Sequence, residues 1–385
     1  MELRLSHYVY SSLGGYRTLY VSPTMPRDLV RPLEGLAKQI YRTAARRQVL
    51  GWLRPSDEVA ILVKAFQNGT DHAGRPRTCV HAAAIALADA AGFPFFSLLA
   101  LPEDVFLPPD AQLQSLESQL RPTINLSDPS GFWPSGSLPR ESVAALMSLM
   151  LVPGLNALVV DHGGETLATL RALAWMCPSR VRRTLTVMVG APLVPVDGIG
   201  GARIVVMPAD AKADSPAQHD VMLNFPDETG RAATMANSYA VYIASNLGGE
   251  KGRAVNKSLV GLLERYPPQY ELTQVHYTHL VMGFGKVERN VTPDGGFDFK
   301  SEPFACLSAV RDFALAGIPE LAHYILEAVA SKASSQYGLD DSSVRPALGK
   351  IRMIKDGERQ AEAYSFLADR IDGLIRSVAK EVNAS

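Results

Sequence analysis

Residues 58–87, EVAILVKAFQNGTDHAGRPRTCVHAAAIAL, contain two apolar runs separated by a turn-rich segment. The first run, 58–66, is rich in β-branched and aromatic residues and predicts a strand. Residues 68–77 include Asn-Gly and Ala-Gly pairs, which are typical of turns. The second run, 78–87, predicts a strand that returns antiparallel to the first, although its alanines would also suit a helix. The stretch therefore indicates an antiparallel sheet.

The residues before this hairpin extend the same pattern. Residues 3–10 and 16–22 alternate in polarity, which predicts a further hairpin. Residues 27–46 follow Pro26 and carry apolar side chains at helical spacing, which predicts an amphipathic helix. These side chains are Leu29, Leu33, Leu36 and Ile40. Residues 1–107 are therefore predicted to form an α+β N-terminal domain with an antiparallel sheet.

The composition changes after residue 107. Residues 108–138 are rich in proline, serine and glycine, and they predict a linker with a short polar helix. Residues 139–235 then alternate between helical patterns and short apolar runs. The helices are predicted at 139–151 and 165–177, and the strands at 156–161, 185–189 and 202–207. A helix between apolar strands is typical of parallel strands buried on both faces, so this segment is predicted to be an α/β middle domain.

Residues 236–385 predict a mainly α-helical C-terminal region. The clearest feature is a helical hairpin at 303–334, in which Gly317 ends one helix and Pro319 begins the next. The last predicted helix, 357–382, carries apolar residues at alternating steps of three and four. These are Tyr364, Leu367, Ile371, Leu374 and Val378. The resulting seam either packs on the preceding helices or docks on a partner helix.

The overall composition excludes several classes of protein. A chain of 385 residues is too long for a single small binding module, and 47% hydrophobic residues exclude a disordered chain. With 38 basic and 39 acidic residues, the protein has almost no net charge to attract nucleic acid.

Pro153 and Gly154 interrupt the most apolar stretch, 143–160, so it predicts no membrane span. The N-terminal residues lack the apolar core of a signal peptide, and a cytoplasmic location is expected.

The three cysteines also favour a reducing compartment. Cys79, Cys177 and Cys306 are far apart and form no CxxC pair. Each lies among apolar residues, so we predict buried thiols without special reactivity.

The densest polar cluster lies around the turn of the 58–87 hairpin. Its members are a candidate functional loop: Thr70, Asp71, His72, Gly74, Arg75, Pro76, Arg77 and, on the return strand, His81. An Asp–His pair facing a second histidine across a hairpin suits acid/base chemistry or metal binding. The alternative is turn chemistry, with Asp71 bonded within the loop and His81 in the core. The spacing matches no known zinc motif.

Three other motifs are less specific. Residues 161–165, Asp-His-Gly-Gly-Glu, follow a predicted strand, where α/β sheets bind ligands, but they lack a phosphate-binding lysine. Residues 282–286, Met-Gly-Phe-Gly-Lys, lack the Ser or Thr that completes a P-loop. His276 and His279 share a helix face without the glutamate of an HExxH motif, which favours a partly buried polar pair.

Basic residues concentrate in the N-terminal segment. Residues 17–77 contain eleven Lys and Arg against five Asp and Glu. Arg42, Arg46 and Arg47 lie at the end of the predicted helix. They offer a contact for nucleic acid or an acidic partner, but cations at a helix C-terminus also stabilise the helix itself.

Two stretches resemble a known family. Residues 22–26, Ser-Pro-Thr-Met-Pro, and residues 66–76, FQNGTDHAGRP, with Val-His-Ala at 80–82, resemble the second type of N-terminal domain of the bacterial GTPase-associated protein 1 family. That family has a strand ending in Gly-Thr-Asp, a Ser-Gly-Arg-Pro turn and a return strand with an aromatic-Ala-His. Residues 158–183 are similar to its middle domain. The chain departs from the pattern at Ala73, which replaces serine, and at 77–79.

The resemblance implies a place in GTPase-centred conflict or defence systems, in which such proteins are adaptors beside a GTPase. We therefore expect a non-catalytic adaptor or scaffold that binds a GTPase or other proteins of the same system, with no catalytic residue, metal or cofactor. One alternative is a metal-dependent or acid/base hydrolase with a site around Asp71, His72, Arg75 and His81. Another is a nucleic-acid-binding module that uses the basic N-terminal domain.

Overall fold

The computed structural model describes residues 2–13, 15–43, 48–71, 73–93, 96–126, 138–191, 197–210, 219–226, 237–266, 271–292, 296–337 and 344–384. The chain divides into two compact units, Met1–Met235 and Ala236–Ser385. The first unit contains an antiparallel sheet region followed by parallel strands, and the second is helical. This architecture agrees with the predicted fold class.

The first unit is built on one large sheet. Its strands are β1 (Glu2–Arg4), β2 (Ser6–Ser12), β3 (Tyr16–Val21), β4 (Val49–Leu53), β5 (Val59–Thr70), β6 (Pro76–Ala86), β7 (Thr123–Asn125), β8 (Ala157–Asp161), β9 (Val187–Val189), β10 (Ile204–Pro208) and β11 (Val221–Phe225). Its α-helices are α1 (Arg27–Thr43), α2 (Arg140–Leu151), α3 (Thr166–Ala174) and α4 (Ser179–Thr184). Short 3-10 turns lie at Leu87–Ala90, Leu98–Ala100, Glu103–Val105 and Glu117–Gln119. Among the described residues, nine strands pair in the order β11-β8-β10-β9-β4-β5-β6-β2-β3, and β1 with β7 forms a separate ribbon.

The predicted 58–87 hairpin is present as β5 and β6. The two strands pair antiparallel from Val59 opposite Ala86 to Thr70 opposite Pro76. They extend further than predicted, so the connecting turn is only residues 71–75 rather than 68–77. The second strand is not helical despite its alanines, because pairing with β5 on one side and β2 on the other satisfies its backbone.

Helix α1 covers one face of the antiparallel strands. It is close to the predicted helix 27–46, and its described part ends at Thr43. Leu33, Leu36 and Ile40 are buried against the sheet, beside Val63 and Val80. Burial of each such side chain contributes about 1.5–3 kcal/mol, so this face supplies much of the stability of the region.

Strand β4, which the sequence pattern did not predict, joins the antiparallel and parallel regions. It pairs antiparallel with β5 on one side and with β9 on the other. Gly51 lies between Val63 and Met188, and a Cβ atom there would lie 2.7 Å from Val63 Cγ1 and 2.9 Å from Met188 Cε. A glycine is therefore required where the two regions meet.

The parallel region contains β8, β9, β10 and β11. It shares the nine-stranded sheet with the strands of the predicted N-terminal domain. The segments 1–107 and 139–235 are therefore parts of one compact unit, not two separate domains. Local sequence patterns did not show this because they carry no information on which strands become neighbours.

The predicted linker 108–138 is structured in its first part. Strand β7 pairs with β1, and Leu113 and Leu116 are buried with Val9 and Phe66 of the sheet. Part of the predicted linker therefore contributes buried side chains to the core of the first unit. Residues 127–137 lie outside the described residues.

The second unit contains helices in its described part. They are α5 (Ser238–Ser245), α6 (Gly249–Leu263), α7 (Gln274–Val287), α8 (Val310–Leu315), α9 (Pro319–Tyr337), α10 (Val344–Arg352) and α11 (Gly357–Ala384), with 3-10 turns at Glu288–Asn290 and Pro303–Ala309. Gly317 has a φ of +81° between α8 and α9, which explains the glycine at this predicted helix end. No helix among the described residues has the length and apolar character needed to cross a membrane.

The seam of α11 faces its own unit. Tyr364, Leu367 and Ile371 are buried, and the helix packs on α8 and α9. Leu374, a predicted seam residue, is 45% exposed, and Ile375 is buried instead. A straight helix drifts from a seven-residue repeat, so the buried stripe moves by one residue along its length.

Candidate functional site

The candidate loop is a tight turn at the tip of the β5–β6 hairpin. The Asp71 carboxylate accepts hydrogen bonds from the backbone N–H groups of Ala73 and Arg75, at 2.9 and 3.0 Å. The Arg75 guanidinium donates to the same carboxylate at 2.8 and 3.0 Å. The backbone bond from Arg75, with the other bonds, lowers the pKa of Asp71. Asp71 is thus an ionised anchor of the turn.

The strands directly below the turn hold it in place. Thr70 and Pro76 are paired, and Gly74 has a φ of +74° in the turn between them. Arg77 donates to the backbone oxygen of Asn68 at 2.8 Å and to its side-chain oxygen at 2.9 Å. The Asn68 amide in turn donates to two carbonyl oxygens in residues 109–111. Arg77 is therefore a structural cation, while Arg75 extends from the surface.

Aromatic side chains lie beside this turn. The rings of Tyr16 and Tyr41 make an edge contact with centroids 4.6 Å apart. Burial and the neighbouring Tyr16 raise the pKa of Tyr41 to about 12. Tyr16 is 53% exposed, and the side chain of Arg75, whose pKa is raised mainly by Asp71 and further by the nearby Tyr16 and Tyr41, is 65% exposed. Arg42 is exposed next to Tyr41 at the end of α1.

We call Tyr16, Tyr41, Arg42, Asp71 and Arg75 the hairpin-tip surface. It combines three predicted features: the turn, the start of the second strand of the N-terminal hairpin and the basic end of α1. Of the three cations predicted at the end of α1, Arg42 is described. Arg46 and Arg47 lie outside the described residues, as does His72 of the turn.

His81 belongs to a buried hydrogen-bond chain elsewhere in the sheet. The Leu107 N–H donates to His81 Nδ1 at 3.0 Å, so this nitrogen carries no proton. His81 Nε2 then donates to His7 Nδ1 at 3.0 Å, and His7 Nε2 donates to the Arg121 carbonyl at 2.6 Å. Each ring has one donor and one acceptor, so both imidazoles are neutral. Burial lowers the pKa of both histidines.

This placement agrees with the turn-chemistry alternative, in which Asp71 is bonded within the loop and His81 lies in the core, rather than with an acid/base or metal site. Asp71 lies in the turn, whereas His81 lies five residues along β6 from Pro76, a rise of about 17 Å. The extra length of the paired strands separates the two side chains. Among the described residues, no group of three or more His, Cys, Asp or Glu side chains is arranged to hold a metal ion.

The 161–165 motif lies at the carboxyl end of β8, as predicted. Asp161 accepts hydrogen bonds from the backbone N–H groups of Gly163 and Gly164 at 3.2 and 2.9 Å, just before α3. Its charge occupies the position that an anion would need at the start of that helix. The motif therefore shapes the turn from strand to helix.

The 282–286 motif is part of helix α7 rather than a phosphate loop. Its Lys286 donates to Asp312 Oδ2 at 2.6 Å, and His279 Nδ1 lies 3.1 Å from Asp312 Oδ1. A Cβ at Gly283 would lie 3.1 Å from Asp312 Cβ, so the glycine permits this close packing. His276 instead forms a capping box with Thr273 at the start of the helix. The two histidines therefore have separate structural partners.

All three cysteines are buried, as predicted. Burial raises the pKa of Cys79 and Cys177 to about 12 and that of Cys306 to about 11. These thiols are protonated at neutral pH and carry no nucleophilic function there.

No protein-family model matches the chain, and no curated protein matches it.

Sequence reasoning missed two groups at these sites. The sequence pattern did not show that His7 and His81 are hydrogen-bonded, although it places both in predicted strands of the N-terminal domain. They become diagonal neighbours because β2 pairs with β6 so that His7 lies opposite Ala83. Tyr16 and Tyr41 are separated by a turn and a helix, and no local pattern signals that their rings meet.

Proposed function

We propose that this protein is a non-catalytic adaptor of a bacterial GTPase-associated conflict or defence system, that it works in the cytoplasm and that it binds a partner protein through the hairpin-tip surface. The resemblance of residues 66–82 to the GTPase-associated protein 1 family supports the choice of system. The observation that carries the binding role is the exposed, fixed Arg75. Its guanidinium is held by Asp71 while most of its side chain faces solvent.

Such an arrangement suits recognition by a protein. Tyrosine and arginine are enriched among the residues that dominate interface energetics. Ordering a flexible side chain on binding costs about 0.5–1.5 kcal/mol. The hydrogen bonds that Arg75 donates to Asp71 have already ordered this side chain in the free protein. The edge contact with Tyr41 likewise restricts the exposed Tyr16 ring. The surface is therefore preorganised for an acidic or aromatic partner.

A binding experiment tests this proposal. The full chain is mixed with each purified product of the neighbouring genes, any GTPase among them first, and the affinity is measured by isothermal titration calorimetry. Arg75→Ala and Tyr16→Ala should each weaken binding by about tenfold or more, which corresponds to about 1.4 kcal/mol. Arg376→Ala is the matched control, because Arg376 is also exposed and pairs with an aspartate four residues away.

Two results would contradict the proposal. The first is the absence of a complex with any product of the neighbouring genes. The second is a complex whose affinity changes equally in the Arg75 and Arg376 variants, since the partner would then bind elsewhere.

A nucleic acid is a second candidate for the same surface. Exposed Tyr16 offers a ring for base stacking, and Arg42 and Arg75 offer cations for phosphates. This function requires an affinity for single-stranded oligonucleotides that falls steeply between about 50 and 200 mM salt. An affinity that does not change with salt concentration would exclude nucleic-acid binding, and the protein partner would then be the remaining proposal.

A further inference from the structure

A cavity of about 680 Å³ lies at the end of the sheet opposite the hairpin tip. Strand β6 begins at the tip and ends in the cavity wall, which includes residues 84–86. The wall also contains the turn from β1 to β2, the turn that follows β3, and residues 117–123 beside β7. Its volume lies within the range of about 300–1,000 Å³ that is usual for small-molecule sites.

The interior of this cavity is mainly apolar with a few hydroxyl groups. Leu5, Ile85 and Leu120 supply apolar surface. The Ser6 and Thr24 hydroxyls are 2.8 Å apart and hydrogen-bond to each other. Such a lining suits a ligand with an apolar group more than a strongly polar ligand such as a sugar phosphate.

Charged groups surround the mouth. Asp89, Glu117 and Arg4 line the cavity, and all three are exposed. Within the described part of the chain, none of the three forms an ion pair. The rim therefore carries two carboxylates against one guanidinium, and its net charge is negative.

From this arrangement we propose that the cavity binds a small amphipathic organic cation. The apolar part of the ligand occupies the interior, and its ammonium or amidinium group contacts Asp89 and Glu117 at the rim. The site is separate from the hairpin-tip surface, so the proposal does not depend on the adaptor function. It assigns to the first unit a small-molecule site of defined charge preference.

A series of matched probes tests the charge preference on the full chain. The probes are 4-phenylbutylamine, 4-phenylbutanol and 4-phenylbutyrate, which share an apolar body and differ in charge. Ligand-observed NMR titrations should give the strongest binding for the amine, with an advantage of about fivefold over the carboxylate, since exposed ion pairs each contribute up to about fivefold. The double variant Asp89→Asn, Glu117→Gln should reduce the affinity for the amine to that for the alcohol or below it, because Arg4 then leaves the rim positive.

A second variant tests the location. Ala86 is an exposed cavity residue, so Ala86→Trp should fill the cavity without disturbing the core and should remove binding of all three probes. Ala88→Trp is the control, because Ala88 is exposed nearby and does not line the cavity. The proposal would be overturned by equal affinity for amine and carboxylate, by binding that survives Ala86→Trp, or by no binding at millimolar concentration. Because the charge-neutralising variant changes only exposed residues, it remains informative if Ala86→Trp fails to fold.

Discussion

The His81–His7 chain makes a specific prediction about non-additive stability. His81→Phe leaves the Leu107 N–H and His7 Nδ1 without partners. His7→Phe leaves His81 Nε2 and the Arg121 carbonyl without partners. In the double variant, only the Leu107 N–H and the Arg121 carbonyl are left without hydrogen-bond partners. Each of the three proteins therefore contains two orphaned polar groups.

The magnitude follows from this count. A buried polar group without a partner costs about 1–3 kcal/mol, so His81→Phe should lose about 2–6 kcal/mol of unfolding free energy. His7→Phe should lose less, because the Arg121 carbonyl is only partly buried. The double variant should lose no more than His81→Phe alone, whereas independent effects would add. Comparison of the double variant with the sum of the two measured single losses therefore separates the outcomes.

Urea denaturation followed by tryptophan fluorescence is the appropriate assay. Trp52 and Trp175 are buried in the first unit, so their emission reports unfolding of that unit in the intact chain. A double variant whose loss equals the sum of the single losses would refute the hydrogen-bond chain as described.

The same pair predicts a dependence on pH. The pKa values of both histidines are lowered in the folded chain, whereas in the unfolded chain they are near 6.5. The stabilisation is therefore complete above pH 6.5 and is lost as the pH falls, because only the unfolded chain gains the protons. The loss is at most about 1.4 kcal/mol per pH unit for each histidine. The double phenylalanine variant should have a correspondingly shallower decline below pH 6.5, and an unchanged decline would contradict the prediction.

Three further predictions concern packing, charge and thiol reactivity. Gly252→Ala should destabilise the helical unit by about 1–3 kcal/mol, because the new Cβ would clash with the backbone oxygen of Asn246. Gly261→Ala, in the same helix but with open space around it, should stabilise by up to about 1 kcal/mol, and far-UV circular dichroism melts compare the two. Asp312→Asn should cost about 1–3 kcal/mol in the same assay, since two hydrogen bonds to its carboxylate weaken, and a loss below about 0.5 kcal/mol would contradict this. Cys79 and Cys177 should resist iodoacetamide at pH 8 until the chain is unfolded in urea, and rapid labelling of the native protein, read by mass spectrometry, would show that they are not buried.

The candidate site was predictable where its geometry is local. Asp71 bonds within a turn of five residues, and the Asn-Gly and Ala-Gly pairs around it signalled that turn. His81 lies in the core, and the sequence could not choose between this position and a shared site with Asp71, because its position relative to Asp71 depends on how far the strands remain paired. That length is set by the bonds between Arg77 and Asn68 and by the contacts of Asn68 with residues 109–111.

The order of the secondary-structure elements was determined by the sequence itself, because alternation, helical spacing and turn residues act over a few neighbouring positions. The 58–87 hairpin, helix α1 and the helical second unit follow from such local patterns. Only the tertiary structure decided that β4 pairs with β9 and unites two predicted domains in one sheet, that part of the predicted linker joins the core, and that His7 meets His81. These contacts join residues far apart in the chain, and they are selected by packing of whole buried faces, which no local pattern specifies.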